Sequence, residues 1–385
     1  MNTLCLAGAR LLIDGALKAR NLCITADQIS AITEEAPKSG QLSYDLSGLT
    51  IVPGFVDIHT HGALSIDFNH ASGQEVETVS RFFASCGVTS YLPTVLTDTT
   101  ERMLAQLDLL SDPLVVEQNP TMAAIHLEGP FLNAKYKGAM AESLLREADL
   151  GLFRELWASS RGRIRLMTVA PEVDGVLPLI EEAVGLGVRV SLGHSSASYE
   201  EAIRAIDAGA SSVTHIMNAM KLLHMHDPAI LTAALERDIW AEMIVDGFHL
   251  HPPIVRLLLK TKGWDRMIAT TDSISATGFP DGEYQLGPNR IVVEGGDAKL
   301  VDNGVRAGST LTMDRALGKL RAFTAASVER ISPLLSTNAA RMLGFDDRGS
   351  IAVGKRADLV GLDEDDQVRF VMAGGTIIYR GETNG

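Results

Sequence analysis

IVPGFVDIHTHG (51–62) is the stretch on which the reading of this chain turns. An apolar run ends there in two histidines one residue apart. Side chains at i and i+2 of a strand share a face, so His59 and His61 stand side by side at the run's C-terminal end. Two neutral imidazoles in that arrangement make half of a metal cage.

The rest of the chain repeats the pattern. Eight short apolar runs read as strands: 51–61, 88–95, 122–129, 165–172, 188–195, 211–218, 241–248 and 267–273. They are continuous rather than alternating, as in parallel strands covered on both faces. Helical patterns lie between them, such as 73–86, 176–187, 198–209 and 251–263. Ser198 reads as an N-cap with Glu201 three residues on, and Gly209 follows the helix end. Alternating β and α units over 51–345 predict a (β/α)8 barrel, the TIM-like form of the α/β class.

The two ends differ. Residues 1–50 and 346–385 carry short apolar stretches separated by Gly and Asp turns. Each is too short to bury a face alone, so the expectation is one small β-sandwich built from both termini.

A barrel enzyme keeps its site at the C-terminal ends of its strands. The first run brings His59 and His61 there, the third Glu128, the fifth His194, the sixth His215 and the eighth Asp272. A lone histidine at a strand end is more often a hydrogen-bonded structural group, Glu128 before Gly129-Pro130 could form a turn, and Asp272 could cap a segment. Joint placement on five strands is what points to a cage. Imidazole with carboxylate suits zinc, iron, manganese or cobalt, one or two divalent ions, better than magnesium or calcium. With two ions, Glu128 is the natural bridge. His126 shares the face of Glu128 and reads as a buried, satisfied histidine or a supporting group. His70 reads as surface, and Glu172 as a structural salt-bridge partner.

Composition excludes other classes. The net charge is −14 with no basic block, which argues against nucleic acid. Cys5, Cys23 and Cys86 are too few for a disulfide framework. No apolar stretch reaches the length of a membrane span, and the first twenty residues carry no clean signal-peptide core. The expected compartment is the cytoplasm.

Several motifs in order then resemble one family. PGFVDIHTHG, HLEGPFLN followed by KGA, LGHSSASY, THIMNAM, DGFHLHP, TTDSISATG, AGSTLTMD and GSIAVGKRADLV span nearly the whole chain. They resemble the N-acetylglucosamine-6-phosphate deacetylases of the amidohydrolase superfamily. The resemblance implies metal-dependent removal of the acetyl group, in a homodimer. It makes Glu128, His194 and His215 the main metal site, with His59 and His61 the pair found in binuclear members, and Asp272 the catalytic aspartate. His249, Asn218, Ala219, Arg306, Ala307 and Gly308 would contact the sugar or its phosphate, with Ala139 beside them.

Three departures stand out. Met140 occupies a position where the family has a substrate-contacting histidine. Met225 replaces a polar residue, and His226 an arginine that binds the phosphate, often across the dimer interface. An imidazole offers fewer donors than a bidentate guanidinium, and Met140 no strong hydrogen bond. An unphosphorylated or differently substituted N-acyl amino sugar is therefore an alternative substrate, unless Lys135, Lys137, Lys221 or His224 supplies the charge. Another amide hydrolase of the superfamily is a further alternative. It is disfavoured because the fourth run ends in Ala170-Pro171-Glu172, with no lysine to bridge two metals. A metal-free binding paralogue would have no reason to keep Asp272 beside a cage.

Overall fold

The structure is a computed structural model and describes residues 3–286 and 289–381. Residues 1–2 and 382–385 of the two terminal segments lie outside it. Eight strands pair in parallel and in chain order: β1 (Phe55–Thr60), β2 (Val88–Leu96), β3 (Ile125–Glu128), β4 (Ile164–Val169), β5 (Arg189–Leu192), β6 (Ser212–Val213), β7 (Trp240–Ile244) and β8 (Met267–Thr270). The first and last meet. Thr60 bridges Ser273, the His61 N–H donates to the Ser273 carbonyl at 2.7 Å, and the Asp272 N–H to the His59 carbonyl at 2.8 Å. The sheet is thus a barrel, as expected from the alternation of runs.

At least one α-helix follows each strand, the first after each being α1 (Gly73–Ser85), α2 (Thr100–Leu110), α3 (Leu150–Ser159), α4 (Val176–Gly185), α5 (Tyr199–Asp207), α6 (Ile230–Glu236), α7 (Pro252–Thr261) and α8 (Met313–Thr324). The residues of β1, β3, β7 and β8 are buried almost without exception, as in parallel strands covered on both faces, so the polar residues they carry, among them Asp57, His59, His126 and Glu128, are buried with them. Helix α5 begins in a capping box. The Ser198 hydroxyl accepts from the Glu201 N–H at 3.2 Å, and the Glu201 carboxylate from the Ser198 N–H at 2.8 Å.

The barrel interior is partly polar. Thr94, His126, Thr168, Thr214 and Ser191 form an unbroken chain across five strands, at 3.2, 2.9, 2.8 and 2.7 Å. Such a network is stabilising only when every member is satisfied, and here each link is made. His126 is therefore a satisfied core histidine. Burial, with His59 adding to it, holds its ring well below the ordinary histidine range and so neutral.

The expected strand 51–61 is two strands. Thr50–Pro53 belongs to a six-stranded sheet in the order 376–380, 368–373, 359–362, 50–53, 10–13, 16–19. Gly54 marks the break. A Cβ there would lie 2.0 Å from the Thr89 hydroxyl, so only glycine lets the chain pass β2 so closely. A four-stranded sheet from residues 3–45 faces the six-stranded one. Leu6, Leu22, Ile24, Ile51, Leu359 and Phe370 fill the space between them, so both termini build one sandwich. An unforeseen three-stranded sheet (282–286, 289–294, 297–300) follows β8. Among the described residues no helix is long and apolar enough to cross a membrane.

Replacing Ser198 by alanine should remove the cap of α5 and cost about 1 kcal/mol. Urea unfolding should show a lower midpoint at unchanged slope. An unchanged midpoint would mean that barrel packing, not the cap, fixes the start of this helix.

Candidate metal centre

Three strands end two residues short of a candidate site residue. Strand β5 stops at Leu192, β6 at Val213 and β8 at Thr270, two residues before His194, His215 and Asp272 respectively. Those three residues have φ of +48°, +28° and +50°. Left-handed backbone is costly away from glycine and gathers at functional sites. Here it turns each chain inward over the barrel mouth. Gly308 permits a close approach to Asp272. A Cβ on it would sit 2.3 Å from Ile274 and 2.9 Å from the Asp272 carbonyl.

The turned residues converge on Glu128. Its Oε1 lies 3.1 Å from His194 Nε2, 3.4 Å from His215 Nε2 and 3.4 Å from His59 Nε2, and its Oε2 lies 3.4 Å from His61 Nε2. Asp272 Oδ1 is 3.2 Å from His61 Nε2 and 3.6 Å from His59 Nε2. Two ligand groups follow, His59–His61–Glu128 and Glu128–His194–His215, all buried and sharing one carboxylate.

The tautomers show what these groups suit. His194 Nδ1 donates to the Tyr136 carbonyl at 2.8 Å, so its Nε2 is a lone pair. That lone pair faces Glu128 Oε1 and, at 3.1 Å, His215 Nε2. His59 Nδ1 donates to Glu242 at 3.0 Å, and its Nε2 is buried without a hydrogen-bond partner. Lone pairs aimed at a carboxylate repel unless a cation or protons lie between. The donor set therefore fits divalent ions.

Protons do this work where no ion is bound. Burial alone would discharge His59, but Glu128 and Asp272 beside it hold its ring protonated well above the usual range. For His61 burial is likewise outweighed by the bonds to Asp272 and Glu128, and its pKa rises to about 9. Burial pushes the Glu128 carboxyl up, yet His59 and the neighbouring imidazoles bring it well below the ordinary range, and Asp272 is lowered in the same way.

Two supporting carboxylates escaped the sequence reading. Glu242 on β7 is wholly buried and orients His59. Asp57, two residues before His59, accepts from the hydroxyls of Thr270 at 3.0 Å and Thr271 at 2.6 Å, tying β1 to the end of β8. Burial pushes its carboxyl up to about 6. The signal was an acid at a period-two position of an apolar run, with Asp57 continuing the His59–His61 face. Glu172, expected in a salt bridge, instead accepts from the Ser195 hydroxyl at 2.7 Å and the Ser196 N–H at 2.5 Å.

Above the cluster lies a cavity of about 440 Å³. His61, Glu128, His194, His215 and Asp272 form its floor, and Ala139, Met140, Asn218, Ala219, His249, Arg306, Ala307 and Gly308 its walls. His249 Nδ1 donates to Asp246 at 2.7 Å, which leaves Nε2 as its free ring nitrogen. The Asn218 N–H is taken by the His215 carbonyl at 2.9 Å, so of the two expected anion-binding amides only that of Ala219 is free among the described residues. His226 lies exposed on the 222–228 loop and does not line the cavity of this chain. Lys135, one of the alternative sources of charge, lines the cavity, and Tyr136 and Leu286 join it without having been assigned to it.

The model of the amidohydrolase family matches residues 50–378. The N-acetylglucosamine-6-phosphate deacetylase of Bacillus subtilis is 34% identical over 365 residues, covering 92% of each chain. An N-acetylgalactosamine-6-phosphate deacetylase of Escherichia coli O157:H7 is 32% identical, covering 91% of this chain and 93% of its own. Among solved structures, a mutant N-acetyl-D-glucosamine-6-phosphate deacetylase from Mycobacterium smegmatis, in complex with N-acetyl-D-glucosamine-6-phosphate, is similar at a TM-score of 0.90 and 33% identity, covering 98% of this chain and 99% of that one.

Two outcomes are expected. Glu242→Gln should weaken retention of an ion by His59 about tenfold or more, read as metal per chain after dialysis against a graded chelator. Retention equal to wild type would show that Glu242 does not orient that imidazole. In the chelator-stripped protein, the His61 pKa is raised from 6.5 to about 9. Stability from that pairing is full below the unfolded value and is lost as pH rises through the folded one. The melting temperature of stripped protein should therefore fall between pH 6.5 and 9, and reloading with zinc should abolish the fall. A flat profile in stripped protein would contradict the ion pairing.

Proposed function

The chain belongs to the amidohydrolase family, and we propose that it hydrolyses N-acetylglucosamine 6-phosphate to glucosamine 6-phosphate and acetate. The carrying observation is the shared carboxylate: Glu128 joins two histidine pairs at the floor of a cavity, with Asp272 at their edge. Deacetylases at 32–34% identity over most of the chain support the same reading.

Glu128, His194 and His215 would hold one divalent ion, and His59, His61 and Glu128 a second. Zinc suits this imidazole and carboxylate set, with iron, manganese and cobalt as alternatives. A bound ion supplies Lewis acidity, lowering the pKa of water and polarising the amide carbonyl. The side chains do the rest. Asp272 accepts a proton from the attacking water as the new C–O bond forms. As the C–N bond breaks, it delivers that proton to the sugar nitrogen, so acetate and the free amine leave. His249, positioned by Asp246, would hold the sugar through Nε2. Ala139, Met140, Asn218, Arg306, Ala307 and Gly308 would shape the sugar pocket, and the free amide of Ala219 would meet the phosphate.

Finer assignments follow the same reasoning. Leu222, Leu223 and Met225 are 54%, 56% and 81% exposed on the loop that carries His226. An apolar loop of this kind supports a homodimer in which His226 reaches the partner's site. Three free thiols suit a reducing cytoplasm. We assign 1–50 with 346–385 to the sandwich and 51–345 to the catalytic barrel, with Thr50–Pro53 carrying the sandwich sheet across that boundary. A second reading, an unphosphorylated N-acyl amino sugar, is favoured by Met140, which adds no hydrogen-bond donor to the wall it lines.

Acetate release should be measured on the 6-phosphates of N-acetylglucosamine and N-acetylgalactosamine and on both unphosphorylated sugars. The glucosamine 6-phosphate precursor should be the best of the four. Asp272→Asn should lower kcat about a thousandfold with bound metal retained. A variant that keeps its rate would remove Asp272 as the proton carrier. Preference for the plain sugars would transfer the assignment to the second reading.

A further inference from the structure

A phosphate dianion needs a cation, and among the described residues the walls of the cavity hold only two non-imidazole ones, Lys135 and Arg306. Arg306 is already committed. Its Nε and Nη2 fork onto Asp297 at 2.8 and 3.0 Å. The other basic groups nearby do not line the cavity. Lys137 donates to the Met140 carbonyl at 2.9 Å, and Lys221 pairs with Asp227 at 2.7 Å. His224 and His226 are exposed and in contact with each other. The Lys135 ammonium has no acceptor among the described residues and stands 5.8 Å from the centre of the Tyr136 ring.

The backbone that carries Lys135 is fixed to the reaction centre. Lys135 sits in the 3₁₀ turn Ala134–Tyr136, whose N–H at Lys135 is capped by the Asn133 side chain at 2.8 Å. The Asn133 N–H donates to the His194 carbonyl at 3.0 Å, and the Tyr136 carbonyl accepts from the ring of His194. The loop with the free Ala219 amide hangs from the next residue, since Ser195 N–H donates to the Ala219 carbonyl at 3.1 Å. One short segment after β5 therefore positions a ligand imidazole, an unpaired ammonium and an unpaired amide around one cavity.

We propose that Lys135, together with the Ala219 N–H, binds the substrate phosphate in this chain and sets its preference for phosphorylated amino sugars. The assignment rests on the 6-phosphate reading above. It supplies from the β3–α3 loop a charge that Met140 lacks and that this chain's own His226 does not bring to the cavity of the same chain. A lysine serves this role as a point charge rather than a fork.

The test compares Lys135→Met and Lys135→Arg with the metal-loaded wild type. Lys135→Met should raise KM for N-acetylglucosamine 6-phosphate about tenfold or more, with kcat within about twofold and no change on N-acetylglucosamine. Lys135→Arg should recover most of the loss, and inorganic phosphate should inhibit the Met variant about tenfold less strongly than wild type. An unchanged KM, or an equal loss on both sugars, would overturn the assignment of Lys135 alone. A wild type with no preference for the phosphorylated sugar would overturn the substrate reading and this assignment together.

Discussion

Everything in this molecule is arranged around one carboxylate that has been taken out of water. Glu128 is 2% exposed and has four imidazoles around its two oxygens. An ionised carboxylate so placed is expensive unless positive charge surrounds it. That demand accounts for the histidines, and through them for the rest: Glu242 behind His59, the Tyr136 carbonyl behind His194, and Asp57 clamping the end of β8 to β1. Each acts on a ligand that another strand delivers. Moving any strand by one residue would flip its ligand to the other face of the sheet.

The barrel meets that demand with a rigid floor and strained rims. Below the cluster, the hydroxyl and imidazole chain from Thr94 to Ser191 links strands β2 to β6 through side chains as well as backbone. Above it, His194, His215 and Asp272 leave the β region at once. Local cost of this kind persists only where surrounding packing over-determines it. The buried strands and the glycine at 308 provide that packing.

The sequence was most readable where the chemistry lies in one run of residues. His59 and His61 declare themselves by spacing, and Glu128, His194, His215 and Asp272 by their place at the ends of apolar runs. The capping box of α5 is equally local. What escaped depends on distant partners. Glu242 looks like a stray acid in an apolar strand until β1 is laid two strands away, and Asp57 gains its role only from Thr270 and Thr271. The division of 51–61 at Gly54 is set by the side chain of Thr89. The sheet after β8 is built from short strands that alternate exposed with more buried residues, a pattern that does not extend the run of continuous apolar strands before it.

The closure of the barrel also sets an order of events during synthesis. The seam is made by Thr60 and Ser273, which are 213 residues apart, and the sandwich sheet joins Thr50–Pro53 to Leu359–Leu362. A ribosome releases His59 and His61 long before Asp272, and the strand before them waits for one near the far end. Contacts of such range form late. Until then the chain offers loose histidines and an unpaired edge, open to stray ions and to other chains. The histidine pairs and Asp272 thus come together around Glu128 only once the barrel closes, and interrupted synthesis leaves a fragment that lacks Asp272.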